Sequence, residues 1–285
     1  MTYWKKEITC GKVKEIEKYY SYTVHSKNII RGPKTFLTTA AQQKLNERNA
    51  EKKLRRLINT NFGENDLWLS LTYSTRPKPE AAKEIFEKKF LKALRRAYKK
   101  AGLELKYIHI LEVGNRGGVH HHMLVNHIDP LIISKLWKYG FVDFKYLDNS
   151  GQYAKIAQYM IKYTAKNYSD PEKTFCKKRY SPSKNLKQPQ VKTEIVKAAS
   201  WKEEPVAYAG YIITECYSGV SALTGYPYQY YTMVQTPLER GYATLEELKN
   251  ATSKTKKRRS YPGAGSAHSP KRKPHVQKNM EQRLF

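Results

Sequence analysis

Cysteine is scarce. The 285-residue chain has three cysteines, Cys10, Cys176 and Cys216, far apart and odd in number. That excludes a disulfide framework and any C-x-x-C zinc site. Long apolar runs are missing too, because no stretch approaches the roughly 20 residues that a membrane span requires. The opening MTYWKKEITCGK lacks the apolar core of a secretory signal. There is no G-x-x-x-x-G-K-[ST] loop, so no fused P-loop helicase is expected. Acidic residues are few: 25 Asp plus Glu stand against 53 Lys plus Arg, for a formal charge of +28. These features lead us to expect a cytoplasmic protein, without a membrane partner, whose natural counterpart is a polyanion.

Aromatic residues are plentiful. The chain has 23 tyrosines, and aromatics make up 12% of it. Tyrosines among lysines and arginines can stack on bases while the cations hold phosphates, which favours nucleic acid over an acidic membrane. An apolar fraction of 40% is enough for a real core.

The coarse organisation has four parts. Residues 1–39 form a basic N-terminal extension. A folded core is expected over 40–168, and a Tyr-rich extension packing on it over 169–248. The segment 249–285, with 11 basic residues and one acidic residue, reads as a disordered nucleic-acid arm or a solubilising tail. Periodicity predicts a helix over 40–59, with Thr38 or Thr39 as N-cap, and a strand over 67–73. A helix then follows over 80–101, a hairpin of strands over 106–113 and 119–126, and a short helix from 129. A strand over 141–146 and a helix over 151–166 complete the unit, and two further strands are expected at 207–217 and 229–236. The order β-α-β-β-α-β over 67–146 predicts an α+β fold, a ferredoxin-like or RRM-like antiparallel sheet with helices on one face. The helix over 151–166 is available to cover the other face. Residues 1–35 and 167–200 carry no clear pattern.

The sharpest local feature is Val119-His120-His121-His122-Met123. Alternate residues of a strand share a face, so His120 and His122 point together and His121 points away. Glu112 lies just across the hairpin turn. Two imidazoles and a carboxylate with open positions suit a catalytic divalent ion, Mg²⁺ or Mn²⁺. An exposed or nucleic-acid-contacting histidine cluster is the alternative. His109 and His127 lie on the same strands but offer no second ligand pair. The second feature is Tyr159-Met-Ile-Lys162-Tyr163-Thr-Ala-Lys166, whose functional side chains fall at i, i+3, i+4 and i+7 on one helix face. The alternative is an amphipathic helix with tyrosines at the core rim. Tyrosine is a weak nucleophile at neutral pH, and a cation at the scissile phosphate would remedy that.

Taken together, these motifs resemble those of the HUH-endonuclease superfamily, in particular the rolling-circle replication initiators of single-stranded DNA phages and small plasmids. Leu69-Ser-Leu-Thr72-Tyr matches that family's first motif, an apolar strand ending in Thr. Glu112-Val-Gly114 and His120-His121-His122 match its E-x-G…H-U-H strands. Tyr159-Met-Ile-Lys162-Tyr163 matches its tyrosine helix. The paired tyrosines are similar to those of phage gene A initiators. One departure is His121, polar where the family usually has an apolar residue: either it is a partly exposed spacer, or a different pair of histidines holds the metal, and strand alternation favours His120 and His122.

The resemblance covers roughly 40–168 and implies an HUH-endonuclease core that nicks and rejoins single-stranded origin DNA through a 5′-phosphotyrosine. Glu112, His120 and His122 would hold the metal. Tyr159 or Tyr163 would attack, with Tyr159 favoured to act first, and Lys162 and Lys166 would position phosphates. Arg76, Arg116 and the tail residues Lys256, Lys257, Arg258 and Arg259 would bind DNA, and a host helicase would unwind it. A related transposase or mobilisation nickase, and a non-catalytic RRM-like nucleic-acid-binding protein, are the rival readings.

Overall fold

A computed structural model of the chain describes residues 2–21, 40–114, 116–168, 178–198, 200–221 and 225–236. The fold is α+β, with two antiparallel five-stranded sheets. The first sheet is built from β3 (Leu67–Thr72), β4 (Tyr107–Val113), β5 (Val119–Val125), β6 (Val142–Tyr146) and a two-residue β7 (Ser181–Pro182). Its order is β6-β3-β5-β4-β7. Without β7, this is the ferredoxin-like arrangement expected for the 67–146 unit.

The helices follow their local sequence signals. α2 (Pro79–Glu84) opens on a proline at N1 and runs through one π-helical turn, Ile85–Phe90, into α3 (Leu91–Lys100). α4 (Pro130–Leu136) is capped by Asp129, whose carboxylate accepts from the Leu131 N–H at 2.9 Å. Leu67, Leu69, Leu71, Met123 and Val125 pack with Phe86, Phe90, Leu94 and Ile133 of these helices on one face of the sheet.

The other face is covered as well. Trp68, Ile108, Ile110 and Leu124 pack against Leu54, Leu57 and Ile58 of α1 (Ala40–Asn61) and against Ala157, Met160 and Ile161 of α5 (Ala154–Tyr168). The C-terminal helix available for that face therefore shares it with α1.

The second sheet lay largely outside the sequence expectation. β1 (Thr2–Cys10) and β2 (Val13–Ser21) form a hairpin in the N-terminal stretch that carried no clear pattern. β8 (Gln190–Val196) falls in the second such stretch. β9 (Tyr211–Val220) and β10 (Pro227–Gln235) lie near the two expected strands. The order β8-β1-β2-β10-β9 unites the N-terminal and Tyr-rich extensions in one layer.

Glu15, with no exposed surface, ties that layer to α1: Arg55 and Arg56 each lie 2.8 Å from its carboxylate. At the β1–β2 turn, Gly11 has φ +58°, and a Cβ there would lie 2.2 Å from the Asn59 carbonyl oxygen. Only glycine fits that close approach. Thr38, Thr39 and residues 237–285 lie outside the described residues.

Candidate active site

The candidate site forms where β3, β4, β5 and α5 meet. Register pairs Glu112 with His120 and Ile110 with His122, so Glu112, His120 and His122 share the sheet face that α5 covers. His122 is the hub. Its Nε2 lies 2.7 Å from Glu112 Oε2 and 3.3 Å from the Tyr159 hydroxyl, and its Nδ1 lies 3.1 Å from Ser70 Oγ. An ionised carboxylate only accepts, so in the tautomer that bonds to Glu112 a neutral ring has its proton on Nε2 and accepts from Ser70 at Nδ1. The Trp68 ring stacks on His122 at 5.6 Å and 7°, which fixes the imidazole plane.

Tyr159 meets His122 edge-on at 5.1 Å, and the Tyr163 ring lies 4.3 Å from Tyr159. Burial, and after it the Glu112 carboxylate, push the Tyr159 phenol above its ordinary value. Its phenolate is disfavoured until positive charge arrives. Burial lowers His120 and the neighbouring His122 adds to this, while Glu112 opposes both.

Not every expected residue joins this cluster. Lys162 is exposed on α5, one position before Tyr163, and Lys166 follows on the same helix with its side chain outside the description. Arg76, after β3, and Arg116, in the β4–β5 turn, are exposed. Lys256, Lys257, Arg258 and Arg259 lie outside the described residues. His127 is held away from the site, with its Nδ1 on the Asn65 carbonyl at 2.9 Å and its ring beside Tyr146.

The expectation for His121 is corrected. It is no exposed spacer: its exposure is 0%, and it faces the α2–α3 side. Its Nδ1 lies 2.9 Å from His109 Nε2, and its Nε2 lies 3.0 Å from the Tyr73 hydroxyl, which donates to the Ala82 carbonyl at 3.1 Å. Each of these groups is satisfied if His109 donates to His121 and His121 donates to Tyr73, with all rings neutral. The π-helical turn lays Phe86 over both imidazoles, at 3.7 Å from His109 and 4.6 Å from His121. Burial then drives both histidines down, His121 to about 3.

Ser70, Trp68 and Tyr73 are site residues that the sequence reading did not single out. A signal was present. Leu67, Leu69 and Leu71 alternate toward the helix-covered core, which leaves positions 68, 70 and 72 for the face of His122.

In kind, Glu112, His120 and His122 fit a divalent cation, with oxygen and imidazole donors on one sheet face. One pair is already in contact. Among the described residues, however, no three His, Cys, Asp or Glu side chains are gathered closely enough to form a metal centre as they stand.

Residues 66–168 match a family model for replication-associated proteins. The matched segment holds β3 through α5, hence every member of the His122 cluster and of the His109–His121–Tyr73 chain. The sheet formed by β1, β2, β8, β9 and β10 lies outside it. Comparison of the chain with curated proteins and with solved structures finds no match. Among the described residues, no helix is long and apolar enough to cross a membrane.

Proposed function

We propose that this protein initiates rolling-circle replication by nicking and rejoining single-stranded origin DNA. One observation carries the reading. The Tyr159 hydroxyl, 3.3 Å from His122 Nε2, stands beside a histidine already bonded to Glu112, within a replication-associated segment. A tyrosine and a His/Glu donor set are what phosphodiester transfer by a phenol requires.

In the reaction, a tyrosine oxygen attacks the scissile phosphorus. The bond from phosphorus to that oxygen forms and the bond to O3′ breaks. The phenol loses its proton, and O3′ takes one up as the free 3′-hydroxyl. One phosphodiester replaces another, so no external energy source is needed. The 3′-hydroxyl then primes synthesis. The second tyrosine of the 159/163 pair would cleave the displaced strand after one round, and the released 3′-hydroxyl would resolve its link.

Glu112, His120 and His122 would hold Mg²⁺ or Mn²⁺. When bound, the ion would make the phosphorus more electrophilic and offset the negative charge that raises the Tyr159 phenol. Ser70 Oγ, at His122 Nδ1, would orient that imidazole in either tautomer, because a hydroxyl can donate or accept there. Lys162 and Lys166 would hold phosphate oxygens, while Arg76, Arg116 and the basic 249–285 segment would add salt-sensitive affinity.

The test compares wild type with a His120→Ala/His122→Ala variant on single-stranded origin DNA, with Mn²⁺ or EDTA. Cleavage that depends on metal and is lost in the variant, with DNA binding retained, supports the proposal. Tight binding with no cleavage by any form would instead favour a non-catalytic binding protein.

A further inference from the structure

The second sheet carries a feature that the nicking site does not use. On the face toward α1, burial changes along the strands. Ile8, Cys10, Val13 and Glu15, near the β1–β2 turn, are buried. At the other end a register row runs Ile195–Trp4–Tyr19–Tyr228–Gly219 across all five strands. Trp4 and Tyr19 are half-buried, while Tyr228 is 41% exposed and Ile195 58%. In the next row Tyr217, 57% exposed, stacks on Tyr230 at 6.2 Å and 23°. Gly219 opposite Tyr228 is part of the design, since a Cβ there would lie 3.2 Å from the Tyr228 hydroxyl.

The flank of this band is cationic. α1 runs back along β2: Arg55 and Arg56 meet Glu15, and Lys52 meets Glu17, two residues nearer the band. The Lys52 ammonium also lies 4.7 Å over the Tyr230 ring. Arg48 and Lys44, both exposed, lie about one and two turns further back along the same helix from Lys52. Flat aromatic faces in a row, rimmed by cations on a chain of charge +28, suit unpaired bases on a phosphate backbone.

We propose that this band is a second binding surface for single-stranded DNA, formed by the sheet outside the replication-associated segment. It rests on the reading that single-stranded DNA is the partner, but not on the tyrosine chemistry. Its rings would stack on bases in any sequence, and the α1 cations would hold the backbone.

The test uses the full chain and a fluorescein-labelled 20-nucleotide oligothymidylate, followed by anisotropy. Tyr19→Leu/Tyr228→Leu keeps apolar bulk in the strands but removes two stacking faces. The expected result is a Kd raised about tenfold for each ring that holds a base. The melting temperature and adduct formation on a short nicking-site oligonucleotide should be unchanged, as should affinity for duplex DNA of equal length. A Lys44→Glu/Arg48→Glu variant, whose exposed sites leave the core intact, should weaken the same binding and flatten its salt dependence. Unchanged oligonucleotide affinity in both variants would overturn the proposal. So would an equal loss for duplex, wild-type binding of single-stranded RNA but not DNA, or loss of a dimer in place of loss of DNA. The two readings separate cleanly. A protein that forms no adduct yet loses oligonucleotide binding in these variants keeps the band and rejects the nicking. A protein that forms the adduct and binds unchanged does the reverse.

Discussion

Acid should destabilise this protein through its buried histidines, and His121 sets the scale. Burial holds its imidazole down to about 3, whereas a histidine in an unfolded chain titrates near 6.5. Above that value the ring is neutral in both states and contributes no pH dependence. As the pH falls through it, the unfolded chain takes up a proton that the folded ring refuses. The folded state then loses about 1.4 kcal/mol for each further pH unit, until the pH nears the folded value. Between pH 7 and pH 5 this amounts to about 2 kcal/mol, a large part of a typical stability margin. His109, also lowered by burial, acts in the same direction.

The assay is urea unfolding, followed by tryptophan fluorescence, at several pH values from 7 to 5 for wild type and His121→Leu. The variant leaves the His109 N–H and the Tyr73 hydroxyl short of a partner, so its stability at pH 7 should be lower by about 1–3 kcal/mol. Its stability should nonetheless fall more gently with acid, by about one proton's worth of slope. A variant that loses stability with falling pH as steeply as wild type would refute the argument, because the buried ring would then not be the titrating group.

Three further outcomes follow from the geometry. Glu15→Gln should lower unfolding stability by about 3 kcal/mol in urea, because it leaves Arg55 and Arg56 facing an uncharged partner inside the structure. Gly11→Ala should reduce the melting temperature by several degrees, through strain at φ +58° and collision with the Asn59 carbonyl. On the proposed metal site, Ser70→Ala should slow adduct formation about 10–100-fold, because it removes the hydrogen bond that would orient His122, with the melting temperature nearly unchanged.

The sequence was legible where one face of an element is apolar. The alternation of Leu67, Leu69 and Leu71, and the helical spacing of Phe86, Phe90 and Leu94, announced the first sheet and the helix between its strands. The order of the motifs brought Glu112, His122 and Tyr159 to one face before any geometry was available. The N-terminal hairpin was illegible because charged residues sit on both of its faces. Lys5, Glu7, Lys14 and Glu15 occupy places where apolar residues would advertise a strand, and several of their partners, Glu194, Arg55 and Arg56, come from distant segments. His121 was misjudged for a related reason. A histidine triplet suggests a surface, yet Val119, Met123 and Val125 share its face and mark that face as core. What neutralises it there is a tertiary contact, His109 and Tyr73 beneath Phe86, that no local pattern displays.

The central claim is that a tyrosine of the 159/163 pair becomes covalently joined to DNA. Because the tyrosine would capture the 5′-phosphate, the strand should carry its label at the 3′ end. Single-stranded origin DNA so labelled is incubated with Mn²⁺ or EDTA, boiled, and run on a denaturing gel for wild type, Tyr159→Phe, Tyr163→Phe and the double variant. The account predicts a protein-linked band that needs the metal and disappears in the double variant, with the larger single loss at Tyr159, the residue against His122. A band that persists in the double variant, or no band from a protein that binds the strand tightly, would contradict it.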